Sequence, residues 1–276
     1  MTWPSASSVH LAEAGCSPRL DTVEPMSANA IFDRVIELEA VHNFRDMGDY
    51  PTADGRRTQP RRLYRADGLD RLTPADIETL RPLGLHTVID LRTLGEIELR
   101  GRFPFEELPV AWHHLPVVDV TWEQVDTAGR AAAEFLHEQY TSMLAYGEPL
   151  FAAAIRTLAL PGALPGVFHC AAGKDRTGIL AALVLGALGV PHDVIIADYA
   201  LTQAGMERMR RWAEATNPEM MAKWLAMPAV HMAAEPAAIA AVLDDICAAH
   251  GTVRDYVRSL GVPAAALADL EDQLLV

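Results

Sequence analysis

A ten-residue segment, His169 to Gly178 with the sequence HCAAGKDRTG, constrains this chain most, because it demands a strand on one side and a helix on the other. Just before it, Gly166, Val167 and Phe168 form a short apolar run, which predicts a buried strand. Just after it, residues 177–188 are almost wholly apolar, as a helix buried on every face must be. Gly189 and Pro191 stop that helix. Glycine tolerates the left-handed backbone of a C-terminal cap, and proline lacks the N–H that a further turn needs.

With Cys170 at the strand's end and Thr177 in the first helical turn, the residues between must curl so that successive N–H groups point inward. Such a curl is an anion cradle. A thiol held there feels those N–H groups and the positive end of the helix dipole, so its pKa is expected to fall from about 8.5 to roughly 3.5–7.5. Arg176 adds a planar fork whose parallel donors match two oxygens of a phosphoryl group, a match lysine cannot make. Gly173 permits the backbone twist. The Thr177 hydroxyl is expected to donate to the thiolate, and His169 to support the loop through backbone hydrogen bonds.

Read singly, these residues are ordinary: a buried cysteine is a small hydrophobe, and GKDRTG is a charged turn opening a helix. Their conjunction at this spacing is what singles them out. A nucleotide-binding P-loop is excluded, because that motif needs Ser or Thr after the lysine and a glycine five positions before Gly173, where Asp175 and Phe168 stand.

His-Cys, five residues, then Arg-Thr-Gly resembles the phosphate-binding signature of the protein tyrosine phosphatase superfamily. With Gly173, Lys174 and Asp175 before the arginine, it is similar to an atypical bacterial and fungal branch. The similarity extends to Asn43-Phe44-Arg45-Asp46, to Leu63-Tyr64-Arg65-Ala66-Asp67-Gly68, and to Thr87-Val88-Ile89-Asp90-Leu91-Arg92 followed by Glu96. It resumes in Asp198-Tyr199-Ala200-Leu201 and from His250-Gly251 through Tyr256 to Gly261, so that it spans about residues 38–262. The resemblance implies that Cys170 attacks phosphorus, and that Ala171, Ala172, Gly173, Lys174, Asp175 and Arg176 surround the phosphate. The remaining histidines, including His113-His114, show neither zinc nor metalloprotease spacing, so no metal or cofactor is expected.

Lys174, one of only two lysines in the chain, is expected to point from the loop to the mouth of the pocket. There it meets a second negative group on the substrate or simply raises the local potential. The resemblance extends here to lipid and inositol phosphate phosphatases that carry a lysine at this loop position, some with another basic residue just after the cysteine; this chain has Ala171 there, which weakens the case for a highly phosphorylated ring.

A departing alkoxide or phenoxide needs a proton, and two aspartates compete to supply it. Asp90 ends the apolar strand at 87–89, near the carboxyl edge where ligands of open α/β sheets lie, and the resemblance favours it; it is equally placed to pair with Arg92 on the same strand face. Asp175 lies in the loop itself, where one lipid-phosphatase branch uses an aspartate as its acid, or where it caps the helix or orients the arginine. Asp119 is a third candidate.

The 276 residues, half of them apolar, suffice for one large domain over residues 31–276. A formal net charge of −14 argues against nucleic-acid partners and against broad attraction to anionic membranes, while leaving room for a local basic mouth. Three cysteines cannot build a disulfide framework, so a reducing, cytoplasmic setting is expected. No run reaches the length of a membrane span, and no signal peptide is evident. The resemblance allows export by another route. Residues 1–30, rich in Ser, Ala and Pro, read as a loose tail, within which Met26-Ser27 is an alternative start.

From residue 35 the pattern alternates. Strands are expected at 35–38, 62–65, 87–92, 112–117 and 167–169, with helices from Thr73 to Gly84, at 131–145 and at 149–158. This is an α/β fold, a mixed, mostly parallel sheet flanked by helices, the cysteine-phosphatase fold by resemblance, with a C-terminal helical elaboration from Pro191 to Val276. Its segment 203–247 carries Met206, Met209, Trp212, Met220, Met221, Trp224, Met227 and Met232. These residues read either as core or, by resemblance, as a paired-helix lid over Cys170 with Arg208, Arg210 and Arg211 at its entrance.

The chain is therefore expected to be a metal-independent cysteine phosphatase. Its substrates would be phosphorylated proteins, phosphotyrosine first, with phosphoserine/threonine or phosphoinositides as further ones. A phosphate-binding protein without turnover and a rhodanese-like sulfurtransferase are the alternatives. The seven-residue reach from Cys170 to Thr177 is long for the latter.

Overall fold

The computed structural model describes residues 34–117, 127 and 129–276. Five strands, β1 (Arg45–Asp46), β2 (Leu63–Ala66), β3 (Thr87–Asp90), β4 (Ala111–His114) and β5 (Gly166–His169), form one sheet in the order β1-β2-β5-β3-β4. Only β1 runs antiparallel to its neighbour. The last strand in sequence thus lies at the centre. Its end, His169, is level with Ala66 of β2 and Asp90 of β3, so the loop that follows emerges between the turns leaving both neighbours.

The pleat sends alternate side chains to opposite faces. Leu63, Ile89 and Phe168 join the larger core, whereas Tyr64, Val88 and Val167 join a smaller one. The smaller core is closed by Ile77 and Leu80 of α1 (Pro74–Leu80) together with Phe103 and Leu108. Helix α2 (Leu94–Arg100) follows β3. The larger core is built from α3 (Ala132–Ala159), α4 (Asp175–Ala187), α5 (His192–Thr216) and the C-terminal helices α8 (Pro236–His250), α9 (Val253–Ser259) and α10 (Ala264–Leu274). Two shorter helices, α6 (Pro218–Ala226) and α7 (Ala229–Met232), bridge α5 to α8. Helix α4, buried along nearly its whole length, matches its apolar sequence, and Gly189 ends it with a φ of +80°.

Thr73 starts α1 with a full capping box: its hydroxyl accepts from the Asp76 N–H, and the Asp76 carboxylate accepts from the Thr73 N–H. The two helices expected at 131–145 and 149–158 are one helix, α3, with Pro149 inside it. Proline removes one helical bond there, but Met143, Leu144, Phe151 and Ala152 continue a single buried face across it, and that burial outweighs the loss. The strand expected at 35–38 is only an isolated bridge from Val35 to Arg45. Strands β3 and β4 end sooner than expected, at Asp90 and His114. Residues 1–30, Cys16 and Asp119 lie outside the described residues. No single helix among the described residues is long and apolar enough to cross a membrane.

Candidate active site

Between His169 and Asp175 the chain turns sharply, and its carbonyls are held on the outside of the turn. The Cys170 carbonyl lies 3.2 Å from His169 Nδ1, which must carry the hydrogen because a carbonyl only accepts. The Ala171 carbonyl accepts from the Gly68 N–H at 3.1 Å. Asn43 Nδ2 donates to the carbonyls of Ala172 and Gly173, at 3.1 and 3.0 Å, and Arg65 Nη2 donates to that of Gly173 at 3.0 Å. In a trans peptide the N–H of the next residue points opposite to the carbonyl. Anchoring the carbonyls of residues 170–173 outward therefore aims the N–H groups of residues 171–174 at the inside of the turn, the cradle expected from the sequence. Gly173 has a φ of +66°, and a Cβ there would sit 2.6 Å from the Ala66 carbonyl oxygen, so only glycine fits.

The donors that hold the turn are themselves fixed. Arg45 and Arg65, both fully buried, share the carboxylate of Asp198 on α5, at 3.0 and 2.5 Å, and Tyr50 Oη donates to it at 2.9 Å. Burial opposes the charge of Asp198, but the two arginines outweigh it and hold its pKa far below the ordinary carboxylate range.

Cys170 is a free cysteine and buried. Arg176, in the first turn of α4, is gripped by Glu96: Nη1 to Oε2 at 2.6 Å and Nη2 to Oε1 at 2.8 Å, with Nη1 also 3.3 Å from the Leu91 carbonyl. Burial opposes ionisation of Glu96, yet the hydrogen bonds and charge of Arg176 prevail and bring its pKa down to about 2. Glu96 closes the capping box of α2 with Thr93, so the helix start aims the carboxylate.

Asp90 is fully buried and locked onto Arg92, which reaches it through its backbone N–H at 3.0 Å, Nε at 2.9 Å and Nη2 at 2.7 Å. Burial disfavours its charge, but His169, 3.6 Å away, and Arg92 keep its pKa below normal. Asp175 keeps part of its side chain in solvent and accepts from Tyr140 Oη at 2.7 Å. Thr177 Oγ1 is buried and makes no hydrogen bond among the described residues, so the expected bond to Cys170 is not made here.

Lys174 does not point to the mouth. Its ammonium is buried and donates to the carbonyls of His231 and Ala233, at 2.6 and 2.8 Å, because those main-chain oxygens at the end of α7 offer the acceptors that a buried ammonium requires. The methionine stripe divides: Met206 and Met209 are core, whereas α6, with Met220, Met221 and Trp224, has no buried residue. Arg208 donates to the His42 carbonyl, while Arg210 and Arg211 pair with glutamates of their own helix. Among the described residues, no group of three or more His, Cys, Asp or Glu side chains is placed to hold a metal ion.

Asn43, Arg65, Asp198, Tyr199 and Glu96 take from the structure roles that their motifs leave open, and Tyr140 joins them from outside those motifs. Arginines at inward positions of short strands were the available signal, since a buried guanidinium must have a partner.

The model of the tyrosine phosphatase family matches residues 36–276. A Cupriavidus necator chain named as a tyrosine-protein phosphatase is 34% identical over 197 residues, which cover 68% of this chain and 71% of that one. The triple specificity protein phosphatase PtpB of Mycobacterium tuberculosis is 32% identical over 205 residues, covering 64% of this chain and 72% of that one. A tyrosine-protein phosphatase of Nostoc commune is 30% identical over 145 residues, covering 52% and 49%.

Proposed function

The chain belongs to the tyrosine phosphatase family, and on that premise we propose that it hydrolyses phosphomonoesters through a phosphocysteine, with Cys170 as nucleophile and Asp175 as proton donor. The observation that carries this reading is the loop itself: one cysteine at the end of the central strand, carbonyls turned out, N–H groups turned in, and an arginine at the first turn of the following helix.

Cys170 Sγ, as thiolate, attacks phosphorus, and the bond from phosphorus to the ester oxygen breaks. The leaving oxygen takes the Asp175 proton as that bond breaks. The loop N–H groups and Arg176 bind the equatorial oxygens, whose charge is redistributed in the transition state. Water then attacks the phosphocysteine, Asp175 takes its proton, and phosphate and thiolate are released. Asp175 is favoured over Asp90 because a donor must reach the leaving oxygen. Asp90 is enclosed and committed to Arg92, whereas Asp175 lies in the loop with a side chain partly open to solvent.

Phosphotyrosine in proteins is the proposed first substrate, and the name of the M. tuberculosis relative makes phosphoserine/threonine esters worth testing beside it. Turnover of p-nitrophenyl phosphate in the presence of EDTA, abolished in Cys170→Ser, is the expected result. Rapid quenching should trap phosphate on Cys170. Binding without turnover in the native chain would overturn the proposal, as would phosphate release undiminished in Cys170→Ser. Phosphopeptides set against mono- and polyphosphorylated inositides would rank the substrates.

A further inference from the structure

Behind Asp175 stand two tyrosines that the mechanism has not used. We propose that Tyr199 and Tyr140 form a directional pair of hydroxyl donors that positions Asp175 and leaves Oδ2 as the oxygen that carries its transferable proton. This rests on the reading of Asp175 as proton donor.

Tyr140 comes from α3 and Tyr199 from α5, and both rings are buried. Their hydroxyls are 2.5 Å apart, and Tyr140 Oη lies 2.7 Å from Asp175 Oδ1. Each phenol has one hydrogen to give. An ionised carboxylate only accepts, so the Tyr140 hydrogen goes to Oδ1, and Tyr140 Oη must then accept from Tyr199. Reversal would leave the Tyr199 hydrogen without an acceptor among the described residues. Burial, reinforced by the charge of Asp175, raises the pKa of both phenols, so neither ionises in the working range.

With Oδ1 occupied by a donated hydrogen, the carboxyl proton belongs on Oδ2. The other charged or titratable groups around this trio are Lys174, whose ammonium is 3.4 Å from Oδ1, and His231 on α7, which feels both Lys174 and Asp175. Arg65 and Glu235 act on Tyr199. None of these is altered by removing a phenol hydroxyl.

The test is the pH dependence of kcat/KM for phenyl phosphate, whose poor leaving group needs the proton. A general acid must be protonated, so the rate falls as pH rises through its pKa, and this basic limb reports the donor. Tyr140→Phe keeps the ring and removes a donor that favours the ionised carboxylate, so the limb moves to higher pH by about one unit. Tyr199→Phe moves it the same way by less. The double variant moves no further than Tyr140→Phe, because Tyr199 acts only through Tyr140.

Asp175→Asn in the same assay separates the two claims. A limb retained in Asp175→Asn would remove Asp175 as donor and the inference with it. A limb lost in Asp175→Asn but unmoved in Tyr140→Phe would overturn the tyrosine pair alone. Should Tyr140→Phe fail to fold, Tyr199→Phe decides, an unmoved limb counting against the pair.

Discussion

Glu96 holds both terminal nitrogens of Arg176, at 2.6 and 2.8 Å, so the guanidinium is presented in one fixed plane. Glu96→Gln keeps the shape and loses the charge, and one of the parallel acceptors becomes a donor facing a donor. Losing a charge-assisted bond of this kind costs about 1.5–3 kcal/mol, so kcat/KM should fall about tenfold to a hundredfold. Steady-state kinetics checks this, and wild-type values in a folded Glu96→Gln chain would show that Arg176 needs no holding.

The same pair makes stability depend on pH in a defined window. Glu96 has its pKa lowered from 4.5 to about 2, so the folded state binds its proton later than the unfolded chain does. The stabilisation is present above about 4.5 and is lost as pH falls towards 2. Urea midpoints measured down this range should drop more steeply for the native chain than for Glu96→Gln, which has no carboxyl there to titrate.

Asp90 and Arg92 form a fully buried pair, and Asp70 also lies 2.5 Å from Arg92. Asp90→Asn leaves part of the guanidinium charge without its partner and should cost about 3–5 kcal/mol of stability. The basic limb of the pH profile should remain. Equilibrium unfolding measures the first effect and turnover against pH the second; loss of the limb in Asp90→Asn would return Asp90 to the role of acid.

Gly173→Ala must force a Cβ against the main chain of Ala66, 2.6 Å from its oxygen and 2.7 Å from its carbon, at a φ of +66°. Strain of that kind costs about 1–3 kcal/mol, and relief requires the loop to pull away from β2. A lowered melting temperature together with weakened inhibition by vanadate is expected. An alanine variant with unchanged affinity for vanadate would mean that the turn is not the binding element.

The fold and the loop were legible where the signals are local. Strand, turn and helix around Cys170 follow from an apolar run, a glycine and a second apolar run within a short stretch of chain. The box at Thr73 follows from residues three apart. What escaped notice was carried by contacts between residues distant in sequence. Nothing near Lys174 announces that its ammonium is taken by carbonyls of residues 231 and 233, and nothing near Tyr140 announces a bond to Asp175, 35 positions on. Pro149 misled because its local penalty is visible in sequence, while the burial that overrides it belongs to the folded core.

Helix α4 starts at the reactive turn and runs on as one of the innermost pieces of the protein, with scarcely a side chain on view. Chemistry and interior are therefore a single mechanical object. Among the described residues the turn is continuous with that buried rod, so loss of activity on heating or in urea is expected to track loss of the core, a coincidence that turnover and circular dichroism followed together would check.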